Sequence, residues 1–113
     1  WIPNQARAFS ESVDVVSGPG YDRIAELPEA SRAHFEIRRV VTDLGAYDFE
    51  SDDHTMRVRS LHPGVTLAQA QEASPFELTV TGDVPESRLP SDEELALIRD
   101  VFDPKGARKS EFR

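Results

Sequence analysis

The sequence contains no cysteine among its 113 residues. Disulfide bonds, thiolate metal sites and thiol nucleophiles are therefore excluded for this chain, and a reducing cytoplasm is the expected location. No apolar run approaches the ~20 residues that a membrane-spanning helix requires. We therefore expect no membrane segment.

Positive charge is also scarce, because 13 Lys and Arg residues face 21 Asp and Glu, which gives a formal net charge of −8. A nucleic-acid partner is not expected, since phosphate contacts need a clustered cationic surface. Lysine is nearly absent, with only Lys105 and Lys109. The remaining positive charge is arginine, which either recognises anions in bidentate fashion or covers solvated surface.

The apolar content is sufficient for one folded domain, since 38% of the residues are hydrophobic. The chain opens on Trp1 without an initiator Met. We therefore expect it to be cut from a longer polypeptide. Residues 105–113 form a basic tail that we expect to be loose.

Alternating and β-branched segments predict five strands, near 13–17, 37–42, 46–50, 56–61 and 77–81. Turn formers at 51–55 join the third and fourth segments, so residues 46–61 are predicted to form an antiparallel hairpin. On its solvated face, Asp48 and Glu50 oppose Arg57 and Arg59. The pattern indicates an α/β fold with a mixed sheet.

Two capping-box patterns predict helices near 67–73 and 91–102. Thr66 and Gln69 have the spacing of the first box, and Ser91 and Glu94 that of the second. The second helix carries apolar residues at helical spacing, which predicts an inward-facing stripe. These are Leu95, Ile98, Val101 and Phe102.

Two short motifs lie on either side of this hairpin: T-D-L-G-x-x-D-F at residues 42–49 and H-P-G-V-T at residues 62–66. With segments 13–21, 40–49, 60–66, 74–78 and 90–95 read in order, the chain resembles the β subunit of class I coenzyme A transferases, in the glutaconate transferase branch. The stretch from Met56 to Gly64 also resembles a related branch from actinobacterial steroid degradation, whose members open a ring of an acyl-CoA by hydrolysis. The resemblance covers nearly the whole chain and leaves both branches open.

The resemblance implies a partial CoA-transferase-like α/β domain, residues 1–113 being the carboxyl-terminal part of a β subunit. It implies a hetero-oligomer with an α subunit, an acyl-CoA substrate bound between the subunits and no further cofactor. In the transferases a Glu in an E-N-G type motif attacks the thioester, and a glycine-rich loop stabilises the oxyanion. Neither motif occurs here, so no catalytic residue is assigned to this chain.

The pocket residues that we predict instead are polar groups and glycines at strand ends, where ligand crevices form in α/β sheets. They are Ser17, Gly18, Gly20, Thr42, Asp43 and His62. Each has a structural alternative: a Gly-Pro turn at 17–20, a carboxylate ordering local amides at Asp43, and a backbone-bonded turn histidine at His62. No metal site is predicted, because Asp52, Asp53 and His54 are adjacent in an exposed turn and hard cations need more oxygens.

Three functional hypotheses follow. The chain is a segment of a CoA transferase or of an acyl-CoA ring-opening hydrolase; it is a non-catalytic assembly segment that shapes the acyl-CoA pocket; or it is an independent binding module. The family resemblance favours the first two, which are compatible with each other.

Overall fold

The computed structural model of the protein describes residues 2–110, and a three-stranded antiparallel sheet in the order β1-β2-β3 forms its centre. The strands are β1 at Val40–Val41, β2 at Gly45–Asp48 and β3 at Arg57–Leu61. The predicted hairpin is confirmed, with Gly45 opposite Leu61 and Asp48 opposite Arg57. Its turn includes His54, whose positive φ of 55° lies in the left-handed region.

The other predicted strands are absent or shorter. The segment 13–17 is wrong as a strand, because it has no strand partner within residues 2–110 and Val15 is 85% exposed. A β-branched run needs a neighbour to complete its backbone hydrogen bonds. The predicted strand 37–42 reduces to β1, and 77–81 reduces to one parallel bridge between Thr79 and Arg57.

Within residues 2–110, parallel pairing is confined to the outer edge of β3, where Leu61 also bridges Glu86. The mixed character of the predicted sheet therefore lies in these two isolated bridges, while the three strands are antiparallel.

The core lies against one face of this sheet. Its buried apolar side chains are Tyr47, Val58, Leu61, Ala70 and Leu78. They come from β2, β3, the helix that follows β3 and the extended segment after it. Burial of each large side chain contributes about 1.5–3 kcal/mol of transfer free energy, so this small cluster stabilises the sheet and positions the loops at its ends.

Both predicted helices, near 67–73 and 91–102, are confirmed. Helix α1 spans Glu29–Arg32, α2 spans Leu67–Glu72, and α3 spans Asp92–Ala96 and continues as a π-helix at Leu97–Phe102. Short 3₁₀ helices span Ile24–Glu26 and Ala107–Ser110. Both capping boxes are complete, with Thr66 and Ser91 as N-caps.

The inward-facing stripe predicted for the last helix is wrong. Leu95 is half-buried, but Ile98 is exposed, Val101 is 63% exposed and Phe102 is 76% exposed. In the described part of the chain, the contacts of α3 with other helical or strand segments are mainly with its own π-helical continuation, which lengthens the helix without covering its apolar face. Helical spacing reports which residues share a face, but it does not supply a surface for that face to pack against.

Within the basic tail, a 3₁₀ helix spans Ala107–Ser110, and the looseness of the tail stays a prediction. Asp103 accepts hydrogen bonds from the Ala107 and Arg108 amides at 2.6 and 3.1 Å, which caps the 3₁₀ turn. Residues 111–113 of this tail, like Trp1, lie outside the described residues. No helix within residues 2–110 has the length and apolar character needed to cross a membrane.

Candidate functional site at the Thr42 corner

The turn between β1 and β2 is ordered by the side chain of Thr42, which is 1% exposed. Its Oγ1 accepts hydrogen bonds from the Leu44 and Gly45 amides, both at 3.1 Å. Its backbone amide donates to the Gly45 carbonyl at 2.9 Å. The hydroxyl therefore binds backbone amides of the turn and fixes a tight corner at one end of the sheet.

His62 closes this corner from the end of β3. Its Nε2 lies 3.0 Å from the Thr42 carbonyl oxygen, and its backbone amide donates to Leu44 at 2.9 Å. Because a carbonyl oxygen only accepts, the neutral ring carries its proton on Nε2 and presents Nδ1 as an acceptor. The backbone-bonded histidine expected as the structural alternative is therefore present, and one ring nitrogen remains available to a ligand.

Asp43 has a different role from the local one expected of it. Thr42, and not Asp43, binds the amides of the turn. The Asp43 carboxylate instead accepts from the backbone amide of Asn4 at 2.7 Å, a contact between residues 39 apart in sequence. Asp43 is exposed, so the corner presents a carboxylate to its surroundings.

Tyr47 lies beneath the corner and is fully buried. It pairs with Val40 across the sheet, and Val40 is two residues from Thr42, so Tyr47 and Thr42 share one face. Burial raises the pKa of the Tyr47 phenol, interaction with the Thr42 side chain opposes this rise, and the charge on Asp43 adds to it. The hydroxyl therefore stays protonated and is a hydrogen-bond donor.

The opposite face of the sheet holds an arginine-carboxylate cluster, in which Asp48 is 0% exposed. Arg57 donates to both oxygens of Asp48, from Nε at 2.8 Å and from Nη2 at 2.9 Å. Arg57 also contacts Glu50 at 2.9 Å, and Arg59 lies 3.4 Å from Asp48. The predicted charge pairs are present. The prediction that this face is solvated is wrong at Asp48, whose side chain is buried.

The Arg57 hydrogen bonds are the main cause that lowers the pKa of Asp48 to about 2, and burial opposes them. Asp48 therefore carries a charge at neutral pH despite its burial. This cluster stabilises the hairpin, and its arginine donors are directed at the carboxylates.

The structure separates the predicted pocket residues into two groups. Thr42, Asp43 and His62 meet at the Gly45–Leu61 end of the hairpin. The Ser17–Gly20 loop leads into Tyr21, which stacks on His54 with ring centroids 4.3 Å apart. His54 lies at the hairpin turn, so the loop contacts the end of the sheet opposite the Thr42 corner. The two ends are about 13 Å apart, because β3 rises about 3.3 Å at each of its four residue steps.

At that end, Gly18 and Gly20 contribute to the lining of a hollow of about 330 Å³ together with Arg23 and Ile37. Within residues 2–110, no group of three or more His, Asp or Glu side chains is arranged to hold a metal ion. The 17–20 loop and the Thr42 corner are therefore distinct surfaces.

Sequence reasoning missed Asn4, although it is 5% exposed and bonded to Asp43. No periodicity or motif relates two residues 39 positions apart, so no sequence signal indicated this contact. The Tyr47 hydroxyl was missed for a different reason, since strand alternation assigns its side chain to a face without locating its polar end.

Known proteins resemble nearly the whole of this chain in sequence and in fold. The cholesterol ring-cleaving hydrolase IpdB subunit of Mycobacterium tuberculosis H37Rv is 46% identical over 114 residues, which cover 100% of this chain and 45% of the relative. The protein of the same name from Rhodococcus jostii RHA1 is 46% identical over 112 residues, which cover 98% and 44% of the two chains. The crystal structure of IpdAB from Rhodococcus jostii RHA1 matches with a TM-score of 0.83 and 40% identity, over 99% of this chain and 46% of that chain.

The chain is similar over its whole length to these IpdB subunits, and its fold is of the coenzyme A transferase type. Glutaconate coenzyme A-transferase from Acidaminococcus fermentans shares the fold, with a TM-score of 0.77 over 94% of this chain and 42% of that chain, at 24% identity. No protein-family profile matches the chain. The chain spans less than half the length of the relatives that it matches. The predicted resemblance and fold class are confirmed.

Proposed function

We propose that the chain is part of the β subunit of a complex that opens a ring of a steroid-derived acyl-CoA by hydrolysis. The observation that carries this proposal is the 46% identity to relatives named as cholesterol ring-cleaving hydrolase subunits, extending over the whole chain. The glutaconate coenzyme A-transferase has only 24% identity. The hydrolase branch is therefore preferred to the transferase branch, which the resemblance alone left open.

In this proposal the partner is an α-type subunit, as the paired name of the IpdAB structure indicates for that protein. The reacting group comes from outside these residues, because the E-N-G motif is absent from this chain. Coenzyme A enters as part of the substrate, and no further cofactor is required. The complex acts in the cytoplasm, in keeping with a cysteine-free sequence.

The Thr42 corner is the surface that we propose to line the acyl-CoA pocket. It combines a rigid backbone, an exposed carboxylate on Asp43 and a histidine whose Nδ1 is an acceptor. A fixed acceptor of this kind orients a hydroxyl or an amide of the substrate. The Ser17–Gly20 loop remains a predicted contact for another part of the coenzyme.

A chimera tests the proposed function. Residues 1–113 would replace the matching segment of the Rhodococcus jostii relative, and the complex would be assayed with steroid-derived and dicarboxylic acyl-CoAs. We expect ring opening of the steroid-derived thioester in water without a carboxylate acceptor. Because the host complex supplies the reacting group, retained ring opening would show that this segment forms a pocket of the hydrolase branch. Loss of ring opening in a folded chimera would reject the assignment to that branch. The 113-residue chain alone should open no ring and transfer no CoA.

Two substitutions in the same chimera test the role of His62. In His62→Gln the amide nitrogen occupies the position of Nε2 and keeps the bond to the Thr42 carbonyl, but the Nδ1 acceptor is lost. In His62→Asn the amide occupies the position of Nδ1 and the Thr42 bond is lost. If His62 binds substrate, Gln raises KM by about 3–10-fold, the value of one hydrogen bond, with Tm unchanged. Full activity of the Gln variant would show that the ring only orders the turn.

A further inference from the structure

Strand β3 carries one residue more than β2 can pair. Tyr47 lies opposite Val58 and Ala46 lies opposite Ser60, so Arg59 has no residue opposite it. A β-bulge of this kind interrupts the ladder and changes the direction of the extra side chain. The extra side chain here is a guanidinium with 47% of its surface exposed.

Beside this bulge, segment 79–87 separates from the outer edge of β3. The Val58 amide donates to the Thr79 carbonyl at 2.9 Å, and the Leu61 amide donates to the Pro85 carbonyl at 3.1 Å. Between these two contacts β3 advances from 58 to 61, whereas the segment advances from 79 to 85. The longer segment therefore loops away from the strand and leaves a hollow of about 310 Å³ between them.

Both arginines of β3 line this hollow and have donors to spare. Arg57 binds Asp48 through Nε and Nη2, and its third nitrogen, Nη1, lies 3.5 Å from the Thr81 hydroxyl oxygen. Arg59 reaches the carboxylates only through Nη1. Its Nε and Nη2 therefore make no hydrogen bond within residues 2–110. The donors that the carboxylates do not use are thus at the hollow.

The charge of the arginine-carboxylate cluster is not balanced. Arg39, Arg57 and Arg59 lie within 4 Å of carboxylates that belong to only two residues, Asp48 and Glu50. Arg57 makes contacts of 2.8 and 2.9 Å, the usual length of a charge-assisted hydrogen bond. Arg59 has contacts of 3.4 and 3.9 Å. The least compensated positive charge beside the hollow is therefore that of Arg59.

The remaining lining groups favour an acceptor ligand. The hydroxyls of Ser60 and Ser87 lie 2.8 Å apart, which uses one of their two protons and leaves the other free. Asp83 also lines the hollow, but it is exposed, so water and salt screen its charge. Two guanidinium groups repel a cation, and an apolar ligand would leave the donors unpaired. A phosphate or a carboxylate matches the planar donor pattern of arginine.

We propose that this hollow is a binding site for a phosphate or carboxylate group, held by Nε and Nη2 of Arg59, Nη1 of Arg57 and the hydroxyl of Thr81. Asp48 fixes the orientation of Arg57, and the bulge brings Arg59 to the same hollow. The site rests on the donors of this chain and not on the proposed function.

NMR titrations of the 113-residue chain with inorganic phosphate, and separately with propionate, test the site at constant ionic strength. We expect saturable shifts of the Arg59 Nε–H signal and of the amides of residues 57–60 and 81–83. Arg59→Gln should weaken binding at least about ten-fold, because it removes both the charge and the paired donors. Tighter binding of phosphate identifies a phosphoryl group as the ligand, and tighter binding of propionate identifies a carboxylate.

Arg38→Gln is the matched control, because it changes the net charge equally at a side chain that is 78% exposed and lies outside the hollow. This variant should bind like the parent chain. The absence of saturable shifts with both anions would overturn the proposal. Equal weakening by Arg38→Gln and Arg59→Gln would overturn it as well, because it would show only general attraction to positive charge.

Asp83→Asn provides a test that leaves the arginines intact, should Arg59→Gln not fold. Asp83 is exposed, so its replacement should not disturb the fold. Loss of its negative charge should tighten binding of the anion by about three-fold, a value typical of a solvent-screened charge. Unchanged or weaker binding by this variant would contradict an anion site in the hollow.

Discussion

At the scale of single residues, the charge on Asp48 is the least expected feature of this molecule. A carboxylate on the polar side of a hairpin is ordinarily solvated, yet Asp48 is completely covered. Arg57 donates hydrogen bonds to both carboxylate oxygens of Asp48, and Arg39 and Arg59 also lie within 4 Å of this carboxylate. The aliphatic stems of these arginines exclude water while their guanidinium groups compensate the charge.

Replacing this carboxylate should remove a pH-dependent part of the stability. The pKa of Asp48 is lowered from 3.8 to about 2 in the folded chain, so its contribution is present above about pH 4 and is lost as the pH falls towards 2. We expect Asp48→Asn to reduce the free energy of unfolding by about 3 kcal/mol at neutral pH and to flatten its fall between pH 4 and 2. Urea unfolding across this range measures both effects.

Asp52→Asn is the matched control, because Asp52 is exposed in the hairpin turn. This variant should retain the acid transition of the parent chain. An unchanged transition in Asp48→Asn would show that other groups cause it.

Gly45 offers a second test at the residue scale. A Cβ added there would lie 2.5 Å from the Ser60 carbonyl oxygen, and backbone cannot move aside as a flexible side chain can. Gly45→Ala should therefore reduce the free energy of unfolding by about 1–3 kcal/mol through overpacking. Gly18→Ala meets nothing within 4 Å and should be neutral. Equal thermal stability of the two variants would contradict the close approach of β2 and β3.

At the scale of elements, two helices with the same capping chemistry are integrated to different degrees. Helix α2 buries Ala70, and its Gln71 side chain bonds both the Phe76 carbonyl and the Leu78 amide. Helix α3 is held by local contacts, in which Arg88 donates to both oxygens of Glu94. These hydrogen bonds lower the pKa of Glu94 to about 2, so its charge persists throughout the physiological range.

Removal of the two caps should therefore have different consequences. Thr66→Ala and Ser91→Ala each remove an amide acceptor worth about 1 kcal/mol. In Thr66→Ala the loss should appear in global unfolding, because α2 contributes to the core. In Ser91→Ala it should appear as about five-fold faster amide exchange within residues 92–102, with little change in the global midpoint. Equal global destabilisation by both variants would show that α3 is coupled to the core.

At the scale of the whole molecule, the exposed apolar residues of the last helix stand out. Leu97, Ile98 and Phe102 border a hollow of about 370 Å³, and Val101 is exposed beside them. Contiguous apolar surface of this kind promotes association. The capping box at its start and the ion pairs at its two ends stabilise this helix, although its apolar face is not buried against the core.

We expect the 113-residue chain to self-associate as its concentration rises, through this surface. The double substitution Val101→Ser and Phe102→Ser should abolish association in sedimentation velocity, with Tm unchanged because neither side chain is buried. Leu89→Ser, which alters an exposed apolar residue outside the helix, is the control and should associate like the parent. Association that survives the double substitution would place the contact elsewhere.

Local chemistry was sufficient to predict the capped helices and the hairpin. Thr66 and Ser91 bond amides three residues away, and the turn at 51–55 joins adjacent strands, so the sequence contains all the interacting groups within a short window. The resemblance to coenzyme A transferases was likewise evident from the T-D-L-G and H-P-G-V-T motifs, because a motif is recognised from the order of its residues alone.

Only the tertiary structure decided which of these elements have partners. The run at 13–17 has strand chemistry but no neighbouring strand in the described chain, and the stripe on α3 has the correct spacing but no facing surface. The candidate site depends on the same information, because Asn4 contacts Asp43 and His62 contacts Thr42 over 39 and 20 positions of sequence. Sequence periodicity reports a residue's own preference, whereas burial and pairing depend on what the rest of the chain places beside it.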